Sequence, residues 1–356
     1  MIVFLFTFVC MFEPKITDML DLRSDTVTLP TAAMKDAMMQ AQVGDDVFGE
    51  DPSVNLLQEY AADLFGMEDA LFCSSGTQTN QIAIKIHTQP GDEVMCDALS
   101  HIYLYEGGGI AFNSGASVRL IQGNKGVFNA AQVVENINKE DVHFPVSKLV
   151  CIENTVNKGG GACWNWEELV KIKEICQNNQ LGFHLDGARL FNALVAKNQN
   201  PQQYGQLFDT ISICLSKGLG APVGSLLLGS KKHIHKAKRL RKVMGGGMRQ
   251  VGFLAAAGLF ALQNNIDRLS QDHLHAKIVG EFLNQQNYIE YILPVETNIV
   301  IFKLKDEFPA EQFLHSLQKQ GIKAVTMGKN LVRFVFHLNQ EKNQIDYLIY
   351  TLENIN

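Results

Sequence analysis

Few features of membrane, nucleic-acid-binding or disulfide-linked proteins are present in this sequence. Its 31 basic residues are outnumbered by 37 acidic ones, a net charge of -6, so it lacks the positive excess that attracts nucleic acids and anionic membranes. The seven cysteines are an odd number without a C-x-x-C pair, and several lie in apolar strand-like runs, where a reduced cysteine acts as a small hydrophobic residue. We therefore expect a cytoplasmic protein without nucleic-acid or membrane partners.

The opening apolar run, residues 1–12, is too short to span a bilayer. It has no basic segment before it and no small-residue cleavage site after it, and Glu13-Pro14 follows, so it is a poor signal peptide. Met19 stands directly before the first recognisable motif. We expect residues 1–18 to be an extension that results from a start codon assigned too early.

The remaining sequence is long enough for a large core, because the chain has 356 residues of which 46% are hydrophobic. Short apolar runs alternate with helical segments from about residue 55 to about residue 265, a rhythm typical of an α/β fold with a mostly parallel sheet covered by helices on both faces. We expect residues 19–265 to form an N-terminal segment and large domain, and residues 266–356 a small α+β domain.

Lys217 is the most informative residue. It follows the apolar run Thr210 to Ser216 and precedes a glycine-rich turn, which puts it where open α/β sheets bind ligands. Burial there lowers the pKa of an ammonium and favours a nucleophilic amine. A second apolar run, Leu181 to Leu185, delivers Asp186 to the same edge. A lysine that forms a Schiff base and an acid that keeps a pyridine nitrogen protonated together indicate pyridoxal 5'-phosphate (PLP).

Two further segments suit this cofactor. Ser75, Gly76 and Thr77 precede a helical run, and free N–H groups at a helix start bind phosphate, although the same residues also suit an ordinary N-cap. His101 follows a predicted strand and precedes three glycines, so its imidazole could stack on a flat ring and transfer a proton. A histidine beside aromatic residues is also compatible with simple packing.

Four polar residues are candidates for binding anions. Arg333 is the one charge in the apolar strand Leu331 to Phe336, so it needs an acidic partner, and a substrate carboxylate would serve. Ser24 lies on a polar segment and could donate to the same carboxylate. Arg249 ends a glycine-rich loop and Lys242 precedes that loop, within a basic cluster that more often forms a solvated face.

As a set, the motifs resemble the low-specificity L-threonine aldolases, which are PLP fold-type I enzymes related to the aromatic β-eliminating lyases. The resemblance runs in order from about residue 19 to the end of the chain. The motifs are Asp21-Leu-Arg-Ser-Asp-Thr-Val-Thr28, Val43-Gly-Asp-Asp-Val-Phe-Gly-Glu50, Ser75-Gly-Thr-Gln78, His101 with its trailing glycines, His184-Leu-Asp-Gly-Ala-Arg189, Leu215-Ser-Lys-Gly-Leu-Gly-Ala-Pro-Val-Gly224 and Gly245-Gly-Gly-Met-Arg-Gln250.

The resemblance implies a role for each matching residue. Lys217 would form the Schiff base, Asp186 would pair with the pyridine nitrogen, and His101 would stack on the ring. Arg189 would lie near the phenolic oxygen and the substrate carboxylate. The cofactor phosphate would be held by Ser75, Gly76 and Thr77, and by Arg249 and Lys242, which would reach from the loop across a subunit boundary. The substrate carboxylate would be held by Ser24 and Arg333.

His143 matches a histidine near the substrate hydroxyl, so either it or His101 would be the catalytic base. The chain departs from the family at Glu153-Asn-Thr-Val-Asn157, where many members have histidine in place of Val156, and this puts the β-carbon stereopreference in question.

The implied reaction is retro-aldol cleavage of L-threonine or L-allo-threonine to glycine and an aldehyde, in threonine catabolism and glycine biosynthesis, by a homodimer or homotetramer with shared active sites and no metal. A β-eliminating lyase of another amino acid stays the alternative. A non-catalytic PLP-fold protein is disfavoured because Lys217, Asp186, Ser75 and Arg333 are all retained. A nicotinamide-binding protein has little support, because no G-x-G-x-x-G turn follows the first strand.

Overall fold

The computed structural model describes residues 19–355. The expectation about residues 1–18 therefore lies outside the described residues. In chain order, the strands are β1 (Leu20–Asp21), β2 (Asp69–Cys73), β3 (Asp92–Asp97), β4 (Ser117–Ile121), β5 (Val146–Glu153), β6 (Gly182–Gly187), β7 (Thr210–Cys214), β8 (Ser225–Gly229), β9 (Ile289–Ile292), β10 (Ile299–Leu304), β11 (Ile322–Lys323), β12 (Val325–Gly328) and β13 (Leu331–Val335).

The α-helices are α1 (Ala32–Met39), α2 (Pro52–Phe65), α3 (Gly76–His87), α4 (His101–Leu104), α5 (Ala130–Asn136), α6 (Trp166–Asn178), α7 (Leu190–Lys197), α8 (Pro201–Leu207), α9 (Lys231–Val243), α10 (Gly252–Asn264), α11 (Leu269–Leu283), α12 (Ala310–Lys319) and α13 (Lys342–Glu353). Short 3-10 turns cover Asp25–Val27 and Asp46–Phe48, and a π-helical turn covers Ile110–Ser114. Between residues 19 and 355, no helix combines the length and the apolar character needed to cross a membrane.

The helix ends follow from local sequence. Asp51 caps the start of α2 by accepting from the Val54 N–H, and Pro52 occupies the first turn, where its missing N–H costs nothing. Gly66 ends the same helix in the left-handed conformation at φ 61°.

The large sheet has seven strands in the order β2-β8-β7-β6-β5-β3-β4. Strand β8 is antiparallel to both of its neighbours, whereas the pairs from β7 to β4 are parallel. Strands β3, β7 and β8 are buried along their whole length, as expected for strands covered on both faces. The predicted α/β fold with a mostly parallel sheet is confirmed.

A smaller antiparallel sheet, in the order β12-β13-β10-β9, forms the C-terminal part with α12 and α13. Strand β1 pairs in parallel with β11, and Leu20 and Leu22 are buried in the same core cluster as the small sheet. The first described strand therefore packs with the C-terminal part, although the chain then continues into the large sheet.

Candidate active site

The carboxyl ends of five strands of the large sheet carry the polar residues of the site. The helix start at Ser75 follows β2, His101 follows β3, Glu153 ends β5, Asp186 lies near the end of β6 and Lys217 follows β7. Since these strands all run in one direction, their ends meet at one edge of the sheet.

The predicted phosphate cradle, Ser75 to Thr77, lies where the chain passes from β2 into α3. Ser75 caps α3 by accepting from the Gln78 N–H at 3.2 Å, so the N–H groups of the first turn point outward from a helix start. A Cβ at Gly76 would lie 2.6 Å from Sγ of the buried Cys214. Only glycine lets the start of α3 approach Cys214 this closely. Thr77 follows in the same helical turn.

Asp186 is buried and held by donors to both oxygens. Its Oδ1 accepts from the Ala188 N–H at 3.1 Å, and its Oδ2 accepts from Asn80 Nδ2 at 2.9 Å. Asn80 also donates to Glu106 Oε1 at 2.9 Å, and its own oxygen lies 3.2 Å from His184 Nε2. The same amide thus fixes two neighbouring carboxylates.

His101 pairs with Glu106 through Nδ1, which lies 3.0 Å from Oε1. Burial alone would lower the pKa of His101, but the hydrogen bond to Glu106 and the charge of Asp186 outweigh it, so this pKa is raised. Because a carboxylate can only accept, Nδ1 carries a proton and Nε2 is the nitrogen left for a ligand. Ligand atoms of His101, Glu106 and Asp186 lie within 4.8 Å of one another, a spacing that also suits a metal ion; here N–H donors satisfy the carboxylate oxygens.

The backbone of Lys217 is fixed while its ammonium has no ion-pair partner between residues 19 and 355. The Lys217 carbonyl accepts from Thr28 Oγ1 at 3.1 Å and from the Gly220 N–H at 2.8 Å. The glycine turn at φ 80° in Gly220 folds the chain back behind the lysine.

Arg189 and Asp25 form a buried bidentate ion pair, with Nε to Oδ2 at 2.7 Å and Nη2 to Oδ1 at 2.6 Å. Burial alone would raise the pKa of Asp25, but the Arg189 charge outweighs it and holds that pKa below its usual value. The motif containing Ser24 is thereby tied to β6.

Arg333 lies close by without a carboxylate partner among the described residues. It donates to two neutral oxygens, Asn157 Oδ1 and the Arg23 carbonyl, each at 2.8 Å, and its Nε is buried without a hydrogen bond. Burial, then repulsion from Arg189, lowers the pKa of Arg333 to about 10. Ser24 adjoins Arg23 and accepts from Thr26 Oγ1 at 2.8 Å, so its own hydroxyl proton is left to donate.

The glycine-rich loop lies beside the phosphate cradle. A Cβ at Gly246 would collide with the Gln78 side chain, in the first turn of α3. Lys242 and Arg249 are exposed on either side of this loop, and Arg249 pairs with Asp45 at 3.1 Å.

Arg241 departs from the solvated face expected for the basic cluster. It is buried, forms an ion pair with Asp46 at 2.7 Å and donates to the Phe72 carbonyl at 2.7 Å. It therefore anchors the end of β2 below the cradle.

Within one chain, His143 is not brought to this edge. His143 lies before the first residue of β5, whereas the site lies at the last residue, Glu153. The eight extended residues of this strand separate the two ends by roughly 25 Å. Its surroundings agree with this placement, because its side chain is 82% exposed and forms its hydrogen bond with the nearby Asp141, at 2.6 Å.

Val156 is a packing residue here. It is 1% exposed, its N–H donates to the Ala162 carbonyl at 3.0 Å, and its side chain packs on Gly126, where a Cβ would collide with it.

Sequence reasoning missed four polar residues that the fold places at the site: Asn80, Glu106, Glu153 and Asn157. Asn80 and Glu106 look like ordinary helix and loop residues, and only the tertiary structure joins them. The one available signal was the motif Glu153-Asn-Thr-Val-Asn157, which contains the other two.

Comparison with known proteins identifies the lineage. The profile of the β-eliminating lyase family matches residues 21–307. The low specificity L-threonine aldolase of Escherichia coli K12 is 41% identical over 328 residues, covering 92% of this chain and 96% of the relative. A probable low-specificity L-threonine aldolase of Arabidopsis thaliana is 40% identical, covering 97% of this chain and 99% of the relative.

The chain belongs to the low-specificity L-threonine aldolase family. The resemblance seen in the motifs is confirmed, and the protein is a PLP-dependent lyase. A solved structure of Leishmania major threonine aldolase has the same fold, with a TM-score of 0.82 at 22% identity, covering 94% of this chain and 98% of that one.

The residues present fit the cofactor of this aldolase family. Gly76 lets the first turn of α3 pack closely on Cys214 at a helix start suited to a phosphate, and Asp186 presents a buried carboxylate. The Lys217 ammonium has no ion-pair partner among residues 19–355. His101 has Nε2 available on the same edge.

Proposed function

We propose that this protein cleaves L-threonine, L-allo-threonine and related β-hydroxy-α-amino acids to glycine and an aldehyde. The observation that carries the substrate class is Arg333, a partly buried guanidinium near the site that donates only to neutral oxygens. The relatives named as L-threonine aldolases support the reaction class.

When bound, PLP joins the substrate amine and withdraws electrons from its Cα. Lys217 would hold the cofactor between turnovers, and Asp186 would keep a proton on the pyridine nitrogen. Ser75, Gly76 and Thr77 would bind the phosphate through the helix start.

Arg333 and Ser24 would bind the substrate carboxylate, with Arg189 beside them. Fixing the carboxylate orients the Cα–Cβ bond, and orientation decides which bond of the amino acid breaks. A guanidinium that otherwise has two neutral partners gains most from an anion in this position.

His101 would act on the β-hydroxyl through Nε2, since Nδ1 is engaged by Glu106. Removal of the hydroxyl proton and cleavage of the Cα–Cβ bond give the aldehyde, and a proton returned to Cα gives glycine.

A homodimer or homotetramer with shared sites follows as part of the proposal. His143 could serve as a base only for the site of another copy, because it lies at the opposite edge of its own sheet. Its neighbours Val142 and Phe144 are exposed apolar residues, as an interface would require. Lys242 and Arg249 would likewise reach the phosphate of a partner.

Complementation tests this sharing. Lys217→Ala and His143→Ala protomers, dissociated and reassociated together, should recover activity, because a mixed pair contains one site with both native residues. Each variant reassociated alone is the control. No recovery in verified mixed oligomers would restrict every site to one chain.

The activity itself is tested by incubating the PLP-loaded protein with each threonine epimer and measuring glycine, aldehyde, ammonia and 2-oxo acid. Equal amounts of glycine and acetaldehyde are expected, with none from Lys217→Ala. Ammonia and a 2-oxo acid would instead indicate the alternative, β-elimination.

We further propose that residues 19–265 form an N-terminal segment and a large domain, that residues 266–356 form a small domain on which β1 packs, and that the enzyme is cytoplasmic. The free thiols among the described residues, Cys73 and Cys96 included, support a reducing compartment.

A further inference from the structure

Glu153 lies beside Asp186 and joins two segments of the site, although the proposed mechanism gives it no contact with substrate or cofactor. It ends β5, pairs in register with Asp186 and is 5% exposed. Its two carboxylate oxygens accept from two different segments of the chain. Oε2 accepts from the His101 N–H and Oε1 from the Asn157 N–H, each at 2.8 Å.

These two segments carry the two halves of the proposed chemistry. The first begins α4 with His101, whose imidazole is proposed as the base. The second carries Asn157, whose side-chain oxygen accepts from Arg333 Nη1 at 2.8 Å. A single carboxylate is thus hydrogen-bonded to the backbone of the base and to the backbone of the residue that orients the guanidinium.

We propose that Glu153 is a positioning residue that sets the distance between His101 and Arg333 by holding both segments at once. The roles of those two residues rest on the proposed function. Hydrogen bonds from N–H groups to a carboxylate are stronger than hydrogen bonds between neutral groups. Glu153 therefore holds the two segments firmly only while it is ionised.

The charged and titratable groups around Glu153 determine the pH at which it is ionised. Asp186 on β6 is a like charge that acts on Glu153. His101 on α4 can be protonated, Arg189 after β6 is a cation, and Cys96 on β3 carries a thiol. Burial, then the charge of Asp186, raises the pKa of Glu153 to about 7, although the two N–H donors and His101 oppose this shift. Below that pH the acid takes a proton, and the oxygen that bears it can no longer accept as strongly from its N–H.

The hydrogen bonds that Glu153 accepts can be followed without measuring turnover. The full-length holoenzyme, deuterated and labelled with [15N]histidine and [15N]asparagine, is followed by NMR from pH 5.5 to 9. The amide resonances of His101 and Asn157 should move together with a midpoint near pH 7. In Glu153→Gln, which imitates the protonated acid, neither should show that midpoint.

Kinetics separate positioning from simple stability. Glu153→Gln should raise KM for L-threonine and lower kcat, each about ten-fold, because the amide oxygen accepts from only one of the two N–H groups and the amide NH2 cannot accept from the other. Asn157→Ala keeps its N–H and removes only the contact to Arg333, so KM should rise while kcat changes little. Glu168→Gln is the matched control, because Glu168 also accepts a backbone N–H, from Ala130 at 3.0 Å, but lies on α6 away from the site.

The two amides moving together in the native enzyme, with the joint kinetic defect of Glu153→Gln, would support the proposal. Amides that stay unchanged or titrate at separate midpoints would overturn it, as would native KM and kcat in Glu153→Gln. Failure of the proposed function would look different, because the native enzyme would then release no aldehyde whatever its amides did.

Discussion

Gly76 can be tested as the residue that sets the shape of the phosphate cradle. Substitution by alanine adds a Cβ that would lie 2.6 Å from Sγ of Cys214, closer than real Cβ contacts come. The thiol has little room to retreat, because Ser225 Oγ donates to it at 3.2 Å and the whole of β7 is buried. Either β7 or the first turn of α3 must therefore move.

The size of the effect follows from this overlap. Inserting one methyl group into a packed core costs about 1–3 kcal/mol when neighbours must shift. The N–H groups of Gly76 and Thr77 belong to the turn that would move, so most of this cost should appear in cofactor binding. A loss of 1–3 kcal/mol corresponds to a rise of about 5- to 150-fold in the Kd for PLP.

Removing the clashing atom should reverse the defect. The Kd for PLP would be measured by absorbance titration of the apoenzyme for Gly76→Ala, Cys214→Ala and the double variant. Cys214→Ala alone should bind nearly as the native protein does, and the double variant should recover most of the loss. Native affinity in Gly76→Ala, or a double variant as weak as Gly76→Ala, would refute the steric reasoning.

Two further substitutions test the surroundings of the site. Asp25→Asn leaves the Arg189 guanidinium buried without its counter-charge, so the free energy of unfolding in urea should fall by about 3–5 kcal/mol. The pKa of Asp25 is lowered in the folded state, so the stability that its ionisation contributes is present at neutral pH and is lost as the pH falls below the ordinary value of 3.8. Asp25→Asn should not show this loss of stability in acid. A variant that still shows it would mean that other groups cause the loss. Val156→Ala should lower stability by about 1–3 kcal/mol and leave the ratio of L-threonine to L-allo-threonine turnover unchanged, since the side chain packs on Gly126; a changed ratio would mean that Val156 contacts substrate.

Much of the fold was predictable because buried parallel strands have a strong sequence signature. Polar residues at the ends of such strands or shortly after them, as at His101, Asp186 and Lys217, can be assigned to one edge from the amino-acid sequence alone. The predicted edge is the one observed, since parallel strands leave no other arrangement of their carboxyl ends.

What could not be predicted depends on pairs of residues far apart in sequence. Arg241 stands among surface lysines and arginines, and only the turn containing Asp46 turns it into a buried anchor. His143 shows a second limit of prediction from sequence. Its motif resemblance implies a role, but it does not indicate whether His143 acts in the site of its own chain or in that of another copy. Strand direction supplies that information, since it separates His143 from the site of its own chain.

The charges at the sheet edge give one more reason to expect an amino-acid substrate. The buried carboxylates of Glu106 and Glu153 accept from N–H donors of the protein, and Asp186 is the proposed partner of the pyridine nitrogen, so none of them is left to pair with a guanidinium. Asp25 is consumed by Arg189 through two hydrogen bonds. Apart from Lys217, which would hold the cofactor, Arg333 is the cation of this edge without an acidic partner among the described residues. Burial without a counter-charge lowers the pKa of Arg333 to about 10. A bound α-carboxylate would remove that cost, whereas a neutral ligand in the same place would leave the guanidinium without a counter-charge.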